Sequence, residues 1–198
     1  MATFSAGEVK KLREATNAGM MDCKKALQEC DGDFDEAAQW LREKGIAAAA
    51  KRADREASEG RIESYIHLGG KIGVMVEVNC ETDFVAKTDE FIGFCKDVCL
   101  QVCSASPSWV TRDEVPEDAA KAELEIYKKQ AAETGKPENI CEKIAEGKLN
   151  KWYSQVCLME QEFVKDPNQK IEDLMKELSG RLGEKMAVRR FARFQLGS

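Results

Sequence analysis

Apolar side chains recur at helical spacing in three short runs near the start of the chain. Val9, Leu12 and Ala15 form the first, Cys23, Ala26 and Leu27 the second, and Phe34, Ala37, Ala38 and Leu41 the third. Steps of three and four put each run on one face of a helix. Ser5 with Glu8, and Asp33 with Glu36, are capping pairs whose side chains satisfy the orphan amides of a first helical turn. Asn17-Ala18-Gly19 breaks the first helix, because Asn and Gly tolerate left-handed backbone angles, and Asp31-Gly32 stops the second. Gly45 is expected to end the third. Helices this short bury little, so residues 1–45 must pack tightly as one module.

Residues 46–59 are alanine-rich and then charged, and read as a solvated helical linker. Beyond Gly60 the period changes to two. Ile62, Ser64, Ile66 and Leu68 alternate with Arg61, Glu63, Tyr65 and His67, which predicts a half-buried strand. Gly69-Gly70 signals a hairpin, and Ile72, Val74, Val76 and Val78 form the return strand. Past its end, Thr82-Asp83-Phe84-Val85-Ala86-Lys87 reads as a loop with an aromatic ring at its tip. Thr88 then caps a helix carrying Phe91, Ile92, Cys95, Val98, Cys99 and Val102. Pro107 and Pro116 bracket a loop around Trp109, and two further helices follow, from Glu117 to Glu133 and from Pro137 toward Leu158. Asp166-Pro167-Asn168 predicts a turn and Ile171–Leu178 a short helix. Met186–Leu196 predicts a last strand with Val188, Ala192, Phe194 and Leu196 on one side. The expected class is α+β: a three-helix module, a helical linker, and a core over 60–198 in which helices cover a small antiparallel sheet of three strands. So small a sheet has an open edge, which favours self-association.

Composition narrows the function classes. A net charge of -6 and a pI near 5.1 argue against nucleic acid as a partner, since phosphate binding needs a surplus of clustered Lys and Arg. The one basic cluster, Arg189, Arg190 and Arg193, reads as a solvated strand face. No apolar run is long enough to span a membrane. Met1-Ala2-Thr3-Phe4-Ser5 leads into a polar helix, so no secretory signal is expected and a cytosol-like compartment is. Eight cysteines contain no C-x-x-C pair. Cys95, Cys99 and Cys103 share a helix face, but without a nearby His they lack the fourth ligand of a tetrahedral metal site. Core packing in a reducing compartment is the better account of them. His67 is isolated, no nucleophile or phosphate-loop motif is present, and acidic pairs such as Asp89-Glu90 sit at helix starts as caps. An enzyme reading therefore rests on nothing specific, and neither a catalytic residue nor a cofactor or metal is expected.

Two places suggest a binding surface. An apolar ring at a loop tip, Phe84, is explained by a pocket in another molecule or by folding back onto the sheet as a lid. Met20 and Met21 open a helix beside a loop, where both cannot point inward. Exposed, they form an adaptable contact surface; the alternative puts one in the core and packs the other on the linker. Lys24 alone reads as a solvated charge.

Several blocks together resemble one family. Leu12-Arg13-Glu14-Ala15-Thr16 and Ala18-Gly19-Met20-Met21-Asp22-Cys23-Lys24-Lys25-Ala26-Leu27 resemble the N-terminal module of translation elongation factor Ts. Glu77-Val78-Asn79-Cys80-Glu81-Thr82-Asp83-Phe84-Val85-Ala86-Lys87 continues the match, and Phe163-Val164-Lys165-Asp166-Pro167 and Val188-Arg189-Arg190-Phe191 extend it in family order. The resemblance implies a guanine-nucleotide exchange factor for elongation factor Tu, with an N-terminal module of ubiquitin-associated type. Asp83 and Phe84, within the block that includes Thr82 and Val85, would enter the partner's GTPase domain, with Phe84 wedging near its magnesium and phosphate site. Arg13, Met20, Met21 and Lys24 would meet the same domain. The segment between Ser104 and Lys136 is too short for the second core half of longer members. Short members pair as homodimers, so a 2:2 complex is implied, in the cytoplasm or in an organelle matrix or stroma. Asn17 stands where the family often has Gly, and Asn adopts the same backbone angles. The other reading is a protein-binding adaptor, its three-helix module capturing ubiquitin-like or nascent-chain partners without exchange activity.

Overall fold

A computed structural model describes residues 4–16, 18–50, 52 and 54–197, the side chains of 46 and 48–50 excepted. In chain order the elements are α1 (Ala6–Thr16), α2 (Met20–Glu29), α3 (Phe34–Ala50), β1 (Glu59–Ile66), β2 (Ile72–Cys80), α4 (Asp83–Ala86) and α5 (Asp89–Ala105). There follow α6 (Glu117–Ala132), α7 (Glu138–Val156), β3 (Glu162–Phe163), β4 (Asp166–Lys170), α8 (Ile171–Leu182) and β5 (Met186–Gln195). The chain forms two compact units, each built from separate segments. One comprises Met1–Arg61, Asn79–Ile92 and Asp173–Ala187, the other Ile62–Val78, Gly93–Glu172 and Val188–Ser198.

In the first unit, the Ser5 hydroxyl accepts the Glu8 amide at 3.3 Å while the Glu8 carboxylate accepts the Ser5 amide at 2.6 Å. Asp33 likewise accepts the Glu36 amide at 2.8 Å. The expected turn at Asn17 lies outside the described residues. Asp31 (φ 48°) and Gly32 (φ 87°) stop α2 with left-handed angles, as their residue types favour. Val9, Leu12, Cys23, Ala26, Leu27 and Ala37 form the module's core, with Trp40 and Leu41 against it. Phe34 departs from expectation. It stands in the first turn of α3, at the module's rim, and is exposed.

Gly45 does not end α3, which runs on to Ala50. Its role is close approach. A Cβ on Gly180 would lie 2.6 Å from the Gly45 Cα, so glycine lets the backbones of α3 and α8 touch. The alanines that follow Gly45 sustain the helix. Arg42 of α3 pairs with Glu177 of α8, and Arg52, just past α3, donates to the Ser179 carbonyl at 3.5 Å. The same contact extends α8 four residues beyond the expected Leu178.

The second unit holds most of a three-stranded sheet ordered β1-β2-β5. Gly69 (φ 87°) and Gly70 (φ 68°) close the β1–β2 hairpin, and the Leu196 amide donates to the Lys71 carbonyl at 2.8 Å. The end of β5 thus meets the start of β2, and the two strands run in opposite directions. Val74, Val76 and Val78 are buried on the inner face, and Phe94, Cys95, Val98, Cys99, Val102 and Cys103 are buried on α5. Cys99 meets the backbone of Val76, and burial pushes its thiol up to about 12, an inert packing group.

Two strand readings and one turn reading are corrected. On β1 the apolar set is outward: Ile62 and Ile66 are 60% and 67% exposed, whereas Glu63 and Tyr65 are partly covered. On β5, Val188 is buried but Phe194 and Leu196 are exposed, because consecutive exposed residues at Arg189 and Arg190 reverse the facing. Asp166-Pro167-Asn168 lies in β4, which pairs with β3 to give a second, two-stranded sheet. The Asp166 carboxylate still accepts the Asn168 amide at 3.1 Å, a local turn within an irregular register. Helices α6 and α7 pack as an antiparallel hairpin, and Trp109 lies 5.9 Å from Trp152 near its base.

Candidate protein-docking site

β2 delivers the chain to the site. Buried Cys80 ends the strand, and Thr82, in extended conformation (φ -130°, ψ 154°), caps α4 by accepting the Val85 amide at 3.4 Å. The expected loop is therefore one helical turn of four residues. It is closed at its far end by Thr88, whose hydroxyl donates to the Val85 carbonyl at 2.8 Å and accepts the Phe91 amide at 3.3 Å. A turn this short has few inward positions. Ala86 is buried and Val85 partly so, which leaves Phe84 pointing out and 79% exposed. The lid alternative is thereby removed. Asp83 and Lys87 pair at 2.5 Å beside the ring, and that contact holds the Asp83 carboxyl below the usual carboxylate range.

The turn is held from below by Glu184, in the segment between α8 and β5. One Glu184 oxygen accepts the Glu81 and Thr82 amides at 3.1 and 3.0 Å, and the other accepts the Thr82 hydroxyl at 2.6 Å. Glu81 reciprocates by accepting the Lys185 amide at 2.6 Å and Arg55 at 3.3 Å. The Lys185 amide, then Arg55, holds the Glu81 carboxyl below the usual range. Burial, and then Glu184, pushes the Cys80 thiol up to about 11.

The other expected contact residues lie on α1 and α2. Arg13 is in the last turn of α1 and exposed. Met20 and Met21 open α2 after the bare N-cap Gly19, and both are exposed, Met21 by 74%. Neither is a core residue. Lys24 is one turn on, exposed and on the same face. All eight expected residues, Arg13, Met20, Met21, Lys24, Thr82, Asp83, Phe84 and Val85, fall in the first compact unit. Thr82 and Val85 are partly buried and serve to fix the turn. Glu184, Glu81 and Arg55 escaped the reading of the sequence, since nothing local marks a carboxylate that caps a turn 102 residues away.

All eight cysteines are free thiols. Among the described residues, no group of His, Cys, Asp and Glu is placed to hold a metal ion, and no helix is long and apolar enough to cross a membrane.

The family model described as elongation factor TS matches residues 5–198. Elongation factor Ts of Geobacter sulfurreducens is 56% identical over 195 residues, covering 98% of this chain and 90% of that protein. That of Anaeromyxobacter dehalogenans (strain 2CP-1) is 58% identical over 197 residues, covering 100% and 90%. That of Desulfosudis oleivorans is 53% identical over 197 residues, covering 100% of both chains. Matched along nearly all its length, the chain belongs to the elongation factor Ts family.

Proposed function

We propose that this chain is the guanine-nucleotide exchange factor of elongation factor Tu, promoting GDP release during translation elongation. The observation that carries the reading is Phe84, an aromatic ring 79% exposed on a doubly capped turn. Burying a side chain of this size is worth about 1.5–3 kcal/mol. That free energy is available only when a partner supplies the pocket. Phe84 wedges into the GTPase domain near its magnesium and phosphate site, with Asp83 beside it. Arg13, Met20, Met21 and Lys24 grip the same domain, the two methionines supplying an adaptable apolar contact. The factor acts by binding. It favours the partner conformation whose nucleotide site is distorted, and by reciprocity factor and GDP each weaken the other by the same free energy. Fresh nucleotide expels the factor through that same coupling.

Residues 1–45 act as a docking module on the 46–59 linker, and 60–198 as the exchange and dimerisation core. A homodimer is supported by the apolar outer face of the β1-β2-β5 sheet, where Ile62, Ile66, Met75, Phe194 and Leu196 are exposed together. Two protomers then hold two GTPases in a 2:2 complex, in the cytoplasm. Release of fluorescent GDP from elongation factor Tu tests the reading. Acceleration by the chain is expected. Binding with no change in release rate would instead favour the adaptor, which has no use for an outward Phe84.

A further inference from the structure

We infer that Glu184 is a positioning residue for nucleotide exchange, holding the Phe84 turn rigid against the scaffold that carries Met20 and Met21. The inference rests on the exchange reading and deepens it. A wedge transmits force only if its mount does not yield, and supporting contacts decide whether a functional side chain stays in its productive geometry. A helix of four residues has no stability of its own. Glu184 supplies what the turn lacks. Its carboxylate accepts three donors from Glu81 and Thr82, and the Thr82 hydroxyl passes the constraint on by accepting the Val85 amide at 3.4 Å. Hydrogen bonds to an ionised acceptor are about twice as strong as neutral ones.

The mount is itself anchored. Ser179 donates to the Glu184 carbonyl at 2.5 Å, and Lys185 donates through its ammonium to the Arg55 carbonyl at 2.7 Å. Gly183 (φ 76°) turns the chain so that Glu184 emerges beneath the Phe84 turn. α8, which ends just before Glu184, lies backbone to backbone on α3 at Gly45 and Gly180. One carboxylate thus joins the Phe84 turn to the three-helix module that presents the methionines.

The test uses the full chain with Glu184→Ala, Glu184→Asp and Glu184→Gln, each also combined with Phe84→Ala. Fluorescent GDP release from elongation factor Tu is read at saturating factor, and amide hydrogen exchange at Thr82 and Val85 is read in the free chain. Glu184→Ala is expected to speed exchange of both amides and to slow GDP release by about tenfold, with affinity for elongation factor Tu little changed. Glu184→Asp, whose shorter arm cannot reach all three donors, gives a smaller loss and serves if the alanine variant does not fold. Glu184→Gln restores most of the activity, since its amide oxygen accepts the two backbone amides and its NH2 donates to Thr82. In the Phe84→Ala background, Glu184→Ala adds no further loss. Unchanged amide exchange in the alanine and aspartate variants overturns the clamp. Wild-type release rates in those variants, or an equal fractional loss with and without Phe84, overturn the positioning role. A wild-type chain that fails to release GDP overturns the exchange reading and the role built on it, while the amide data separately report the clamp.

Discussion

Phe84 faces outward because its neighbours occupy the inward positions: Ala86 is buried, Val85 is half-buried, and Thr82 is committed to its cap. Met21 is exposed at the start of α2 and belongs to the proposed contact with the GTPase, so Met21→Ala should weaken binding to elongation factor Tu by about 1–2 kcal/mol, read by titration calorimetry. The outward ring and the methionine pair were legible locally, from large apolar residues set where a turn or a helix start should be polar. Glu184 was not, because its partners lie over a hundred positions away in the chain. The acid side of the stability curve follows from the same network. The folded-state pKa of Glu81 lies below its unfolded value, so its contribution is complete above about pH 4.3, the ordinary Glu value, and is lost as pH falls through the lowered one. Asp83 moves in the same direction. Melting temperature should therefore drop below about pH 4, and Glu81→Gln should flatten that drop.

At the scale of elements, glycine has two meanings that sequence alone does not separate. Gly45 looked like a helix stop and proves to be a helix crossing, because its neighbour in space is Gly180. Gly180→Ala should cost about 1–3 kcal/mol by forcing two backbones apart. Gly147, within α7 with nothing near its missing Cβ, gives the opposite sign: Gly147→Ala should stabilise by about 0.5–1 kcal/mol. Chemical denaturation of the two variants reads both. Helices marked by caps, α1, α3 and α5, were found from Ser5, Asp33 and Thr88, since capping chemistry is local. The two-residue strand β3 carries no periodicity, and only its pairing with β4 defines it.

The β1-β2-β5 sheet leaves apolar residues exposed, which explains why alternation in β1 predicted a strand but misjudged its buried side. Period two identifies the two faces without saying which one meets this chain's own core. Sedimentation should give twice the 22.1 kDa chain mass, and Ile66→Glu with Phe194→Glu should yield folded monomers. The central claim, that an exposed ring on a rigid turn opens a partner's nucleotide site, is tested most directly by GDP release with Phe84→Ala. The substitution is at an exposed position, so stability should change by no more than about 0.5 kcal/mol. The variant should still bind elongation factor Tu while its acceleration of GDP release falls by about tenfold or more. Full acceleration by Phe84→Ala would contradict the account.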